Sequence, residues 1–221
     1  MSKDSPRLPV LSELYQQYLV DQDTAAFIHR TTQRYTVATL GRLIATGDRP
    51  VRRAAVLALG YLADYESNAV LGMALVDCDR GVRLLAETAV RAVWCRVGSA
   101  AQRQRLASVI ALNRSHQFGA ALRDATALIR EAPWLAEIWN QRAIAQFGLG
   151  HYEQSIQDCR QALEINPYHF GAAAGMGQCA LRTGDQAMAL LAFRRALGLN
   201  PELEGIRANI QALERAQKRQ Q

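Results

Sequence analysis

Four histidines, four cysteines and one glycine pair are the residues of this 221-residue chain with a claim on chemistry. His29, His116, His151 and His169 never fall into the H-x-x-x-H or H-E-x-x-H spacing that puts two imidazoles on one helical face around zinc. Metal ligation is therefore not expected, and His116 and His151 read as exposed residues of equivalent turns. Cys78, Cys95, Cys159 and Cys179 show no C-x-x-C pair and fall in apolar helical runs, which suits free thiols in a reducing cytoplasm. No serine sits in a G-x-S-x-G elbow. Gly175-Met176-Gly177 followed by Ala180 spells the letters of a phosphate loop, but no strand precedes it to aim backbone amides at a pyrophosphate. Gly177 reads as a helix-packing residue instead. No catalytic residue and no cofactor is expected, and the chain reads as a non-enzyme.

Composition points to a folded, water-facing protein. Hydrophobic residues make up 49% and charged residues 21%, and of the 26 basic side chains only Lys3 and Lys218 are lysine. The net charge of +6 is spread thinly, with no basic tract to mark a nucleic-acid footprint. The opening MSKDSPRLPV has no long apolar core, and nowhere is there an apolar run long enough to span a bilayer, so neither a signal peptide nor a spanning helix is expected.

The apolar period is three to four throughout, with no strict alternation, so the elements are helices and the fold class is all-α. Pro133, Pro167 and Pro201 are evenly spaced, each thirty-four positions after the last. Gly150 recurs at the same interval as Gly184, Ala162-Leu163 as Ala196-Leu197, and Asn166-Pro167 as Asn200-Pro201. Trp139, Ala143, Gly150, Tyr152, Ser155, Ala162 and Pro167 fall where a tetratricopeptide repeat wants large, small, turn, aromatic, small, small and terminator residues. The region 102–203 resembles three such units, the first degenerate because QRQRLASVIALN lacks both the large anchor and the small contact residue. A capping helix and polar tail follow at 204–221.

Upstream the period shortens to thirty-one. Leu40, Gly41 and Ile44 recur as Leu71, Gly72 and Leu75; Asp48-Arg49 recurs as Asp79-Arg80, and Val51-Arg52 as Val82-Arg83. This pattern resembles the short HEAT repeat and covers 35–98 as two units. Asp48 and Asp79 would cap the second helices, with Pro50 helping to start one, and Arg52 and Arg83 would pair with acids along the stack. Residues 1–34 read as amino-terminal capping helices, and the two arrays should meet near Gly98-Ser99-Ala100. The resemblance implies an α-solenoid, a right-handed superhelix of helix–turn–helix repeats.

Tetratricopeptide arrays hold peptides or helices against their first helices. By register that implies Asn140, Ile144 and Phe147 from one unit, Gln178, Leu181 and Arg182 with Ala174 from the next, and Leu106 and Ile110 from the one before. Arg142 stands where the pattern has leucine and needs an acid, with Glu137, Asp124 and Asp158 as candidates. The lysine–arginine–asparagine clamp by which some members hold chaperone tails is missing, since its places hold Leu106, Ile110, Gln141, Gly171 and Gly175. The expected function is a cytoplasmic protein-interaction scaffold with a protein or peptide partner and no membrane. One alternative is nucleic-acid binding on a face formed by Arg123, Arg160, Arg182, Arg194, Arg195 and Arg207. Another is a bilin-lyase-like HEAT protein using Cys78 or Cys95.

Overall fold

Each apolar run of helical period becomes a helix. A computed structural model describes residues 10–219, in which there are thirteen α-helices and no strand. They are α1 (Val10–Asp21), α2 (Thr24–Thr32), α3 (Val37–Thr46), α4 (Arg49–Leu62), α5 (Asn68–Ala74), α6 (Arg80–Arg96), α7 (Ala100–Arg114), α8 (Phe118–Glu131), α9 (Ala136–Gly148), α10 (Tyr152–Ile165), α11 (Phe170–Arg182), α12 (Gln186–Leu199) and α13 (Glu204–Arg219). Residues 1–9 of the expected amino-terminal cap and 220–221 of the tail lie outside the described residues. The chain divides into two compact units between Val93 and Trp94, inside the last turn of α6 and shortly before the Gly98 break.

In the first unit the upstream period is visible in the caps. Asp48 Oδ1 accepts from the Val51 amide and Asp79 Oδ1 from the Val82 amide, each at 3.0 Å, which satisfies an otherwise orphaned helical N–H. One period apart again, Arg52 Nη1 donates to the Gly47 carbonyl and Arg83 Nη1 to the Cys78 carbonyl, both at 3.2 Å. Arg52 also makes a two-point ion pair with Asp77 at 2.8 and 2.9 Å. Arg53, which the spacing did not single out, pairs with Asp79 at 2.7 and 2.8 Å. Leu40, Ala55, Leu59, Leu71 and Leu75 are fully buried beneath them.

The second unit repeats its backbone at the proline interval. The helices α8, α10 and α12 end at Glu131, Ile165 and Leu199, and the next residues, Ala132, Asn166 and Asn200, turn to φ of −141°, −131° and −142°. Each of these precedes a proline, whose ring excludes the helical region for its neighbour. Between the paired helices, His116, Gly150 and Gly184 take φ of +58°, +81° and +81°. The following amides close the same turn: Gln117 to the Leu112 carbonyl at 2.9 Å, His151 to Gln146 at 2.8 Å, and Asp185 to Ala180 at 2.9 Å. His116 is thus the counterpart of the two glycines. The pairing of His116 with His151 is corrected by a single position: His151 matches Gln117 and Asp185, the residues that precede each second helix.

Each helix packs on its successor from α7 to α13, and α9 also touches α7 and α11, so first helices form one layer of a helical-repeat solenoid. Close approach within a pair rests on small residues. Ser155 Oγ donates to the Ala143 carbonyl at 2.8 Å. A Cβ on Gly177 would stand 2.5 Å from the Phe193 ring, so the glycine is there for packing, as its place in the repeat requires. Ile206, Ile210 and Leu213 of α13 close the end of this core.

Candidate functional site

The first-helix layer is built around a buried carboxylate. Glu137, in the first turn of α9, is 9% exposed. Its Oε1 accepts from Gln141 Nε2 at 2.6 Å and Asn140 Nδ2 at 3.2 Å, and its Oε2 meets His169 Nε2 at 2.9 Å. His169 Nδ1 accepts the Ala172 amide at 3.1 Å, capping α11. With Nδ1 used as an acceptor, the ring carries its proton on Nε2 and donates it to Glu137. The network reaches α7 through Asn113 Nδ2, which donates to Gln141 Oε1 at 2.9 Å and to the Gln141 carbonyl at 2.8 Å. Trp94 stacks on the His169 ring at 4.3 Å. Burial pushes the Glu137 carboxyl up, but the hydrogen bonds from His169, Gln141 and Asn140 outweigh it and leave it below the usual range.

These contacts divide the expected binding residues. Asn140 is not a groove residue: it is 8% exposed, and its amide is committed to Glu137. Leu106, 1% exposed, belongs to the core between α7 and α8. Ile144 is open, and Phe147, Gln178 and Leu181 are half-buried. Phe147 meets Tyr152 edge-on at 5.4 Å, and the exposed Arg182 guanidinium lies 5.7 Å over the Phe147 ring, joining α9 to α11. Ile144 and Gln178 occupy one repeat position in successive units, as do Phe147 and Leu181, so they form two aligned rows near the carboxy-terminal ends of their helices. One end of the layer is closed by the Glu137 network; the other presents apolar side chains and a cation.

Arg142 finds Asp158, with Nε–Oδ2 and Nη2–Oδ1 both at 2.7 Å, and lies 4.9 Å over Trp139. It is a strut between α9 and α10, while Glu137 is engaged elsewhere. The six arginines named for a nucleic-acid face divide among the helices: Arg182 is on α11, Arg123, Arg160, Arg194 and Arg195 are on second helices, and Arg207 is on α13. Arg194 is paired with Glu214 at 2.8 Å.

Cys159 and Cys179 are buried, and burial pushes both thiols up, which makes them poor nucleophiles. Cys78 is not in a helix; it is exposed in the link between α5 and α6, 3.4 Å from Arg52 Nη2. Among the described residues no group of three histidine, cysteine or carboxylate side chains is placed to hold a metal. No helix among them is long and apolar enough to cross a membrane.

The Glu137–His169 pair escaped the sequence reading because its members stand 32 positions apart, at the two ends of one repeat unit.

Comparison with known proteins supports the repeat assignment. The tetratricopeptide repeat family matches residues 136–169 and, again, residues 172–203, so these two segments are tetratricopeptide repeats. A TPR repeat-containing protein of Rhizobium etli is 39% identical over 69 residues, 31% of this chain and 34% of its own length. The SGT1 homolog of Bos taurus is 31% identical over 98 residues, 44% of this chain and 29% of its own. The chain spans about a third of the length of the curated relatives it matches. Among solved structures, the first TPR of Spaghetti (RPAP3), bound to an HSP90 peptide, shares the fold with a TM-score of 0.52 at 18% identity, covering 55% of this chain and 97% of that one.

Proposed function

We propose that the chain is a non-enzymatic, cytoplasmic scaffold that holds a peptide or helix of another protein against its first-helix layer. One observation carries this reading. Ile144, Phe147, Gln178, Leu181 and Arg182 form an aligned surface with an exposed aliphatic side chain and a guanidinium over an aromatic ring, on helices pinned by buried pairs. A wall shaped before its ligand arrives loses little entropy on binding. The fold shared with a module that binds an HSP90 peptide supports a binding role but does not extend to that ligand. Two of the clamp places hold buried Leu106 and Gln141, and two hold glycine. The first unit, with its periodic caps and arginine pairs, serves in this proposal as a HEAT-like extension of the scaffold.

The test compares three baits of equal thermal stability by quantitative mass spectrometry: wild type, Ile144→Glu/Arg182→Glu, and a second-helix control, Leu191→Glu, at a side chain 71% exposed. A protein lost from the first variant and kept by the control supports the reading. Identical protein sets from all three would overturn it.

A further inference from the structure

Charge on the second unit is segregated between its two helix layers. The first helices α7, α9 and α11 together contain a single carboxylate, Glu137, and it is buried among its three donors. The second helices α8, α10 and α12 contain five: Asp124, Glu131, Glu153, Asp158 and Glu164. Of the first-helix arginines, Arg105 is neutralised by Glu131 and Arg142 by Asp158, both reaching across from the second layer. Arg103, at the start of α7, turns back to the Gly98 carbonyl. Arg114 and Arg182 are exposed, with no carboxylate partner among the described residues. They hold the same repeat position two units apart, and Arg182 already leans over Phe147.

We infer that the segment held by this layer is acidic and apolar: carboxylates near its two ends, aliphatic or aromatic side chains between them. This rests on the binding reading above. Adjacent helices pack about 8–10 Å apart, so two repeat steps separate the arginines by roughly 20 Å. An extended chain rises about 3.3 Å per residue, so roughly six residues cover that span. The middle of the span, on α9, is apolar, with Ile144 and Phe147, and takes the central side chains. With no exposed carboxylate on α7, α9 or α11, these helices offer an acidic segment no repulsion and a basic one no partner. Nucleic acid fits less well. A phosphate backbone needs cations at close intervals, whereas here two free guanidiniums flank an apolar stretch.

The experiment is to pan a random phage-displayed library of dodecamer peptides on the full chain. The strongest enriched sequence is then measured by fluorescence anisotropy against wild type, Arg114→Glu, Arg182→Glu and Ile144→Glu, each checked for unchanged thermal stability. The expected result is enrichment of peptides with net negative charge around aliphatic or aromatic residues, with binding at least about tenfold weaker for each arginine reversal and weakening as salt rises. Neutral or basic enriched peptides that still lose binding to Ile144→Glu would overturn the charge inference and leave the binding surface standing. No enrichment, or peptides indifferent to all three variants, would overturn both. A mixed-sequence single-stranded RNA that binds wild type more tightly than any enriched peptide, and loses binding to Arg182→Glu, would overturn the peptide in favour of nucleic acid.

Discussion

His169 Nε2 and Glu137 Oε2 meet at 2.9 Å across the step from α9 to α11, with side chains 2% and 10% exposed. The contact joins the first turn of α9 to the cap of α11, at the two ends of the unit 136–169. Because Glu137 titrates below its ordinary value of 4.5, its ionised form favours the folded state. That contribution is complete above about pH 4.5, the unfolded value, and is lost as pH falls through the lower folded value. Glu137→Ala should cost about 3–5 kcal/mol at pH 7, because it orphans His169, Gln141 and Asn140 together. Glu137→Gln should cost less, and its deficit relative to wild type should shrink below pH 4. Urea denaturation of the three proteins at pH 7 and pH 3.5 checks both points.

Left-handed turns offer a cleaner backbone test. A Cβ on Gly150 or Gly184 would have no atom within 4 Å, so any loss in Gly150→Ala or Gly184→Ala comes from φ alone. About 1 kcal/mol is expected for each, and equal values would show that the two turns are equivalent. His116 bears the same strain but meets the Phe118 ring edge-on at 5.5 Å. His116→Gly relieves the first and loses the second, so its net change should stay within about 0.5 kcal/mol. Thermal and chemical denaturation of the three variants supply the comparison.

Those turns also show how far the sequence could be read. The prolines and glycines declare the carboxy-terminal repeat because each residue type has its own local preference, a fixed φ for proline and a strain-free left-handed turn for glycine, and such a preference is legible without a structure. The Asp48 and Asp79 caps are legible for the same reason. Asn140 was not. Its register placed it on the binding face, and only the neighbouring Glu137, itself held by His169, draws its amide inward. Arg53 was missed likewise, since its partner Asp79 had already been given the capping role, and a carboxylate has room for both.

Gly177 and Phe193 should behave as a coupled pair. Gly177→Ala would push a methyl to 2.5 Å from the Phe193 ring, which is wholly buried and has no way out. A loss of about 1–3 kcal/mol is expected. Phe193→Leu shortens the ring side of the contact, so the double variant should be more stable than the two single losses predict, by about 1 kcal/mol. Additive losses would mean that the helices part freely and the glycine is not a contact residue.

In the first unit Asp79 has two duties that substitution can separate. The Arg53 hydrogen bonds, with help from the Val82 amide, hold its carboxyl at about 2. Its ionised form therefore adds stability above pH 3.8, the unfolded value, and this is lost as pH falls towards 2. Asp79→Asn keeps an acceptor for the Val82 amide and loses the ion pair, at a cost of about 0.5–1 kcal/mol. Asp79→Ala loses the cap as well and should cost about 1 kcal/mol more. Arg53→Met would reproduce the first loss and not the second, and urea denaturation of the three variants separates the two duties.

The division within the first-helix layer predicts opposite outcomes for two residues one helical turn apart. Asn140 donates to a buried, charged carboxylate, so Asn140→Ala should cost about 1.5–3 kcal/mol of stability. Its amide nitrogen is engaged by Glu137 in a largely buried place, so affinity measured on the folded fraction should not change. Ile144 is 40% exposed, and Ile144→Ser should alter stability by no more than about 0.5 kcal/mol. It should nonetheless weaken partner binding severalfold, because an aliphatic contact is removed from the centre of the surface. Chemical denaturation and a binding titration on the same two preparations decide the matter. Loss of affinity in folded Asn140→Ala, with Ile144→Ser unaffected, would move the binding surface to the opposite end of the layer, over Glu137 and His169.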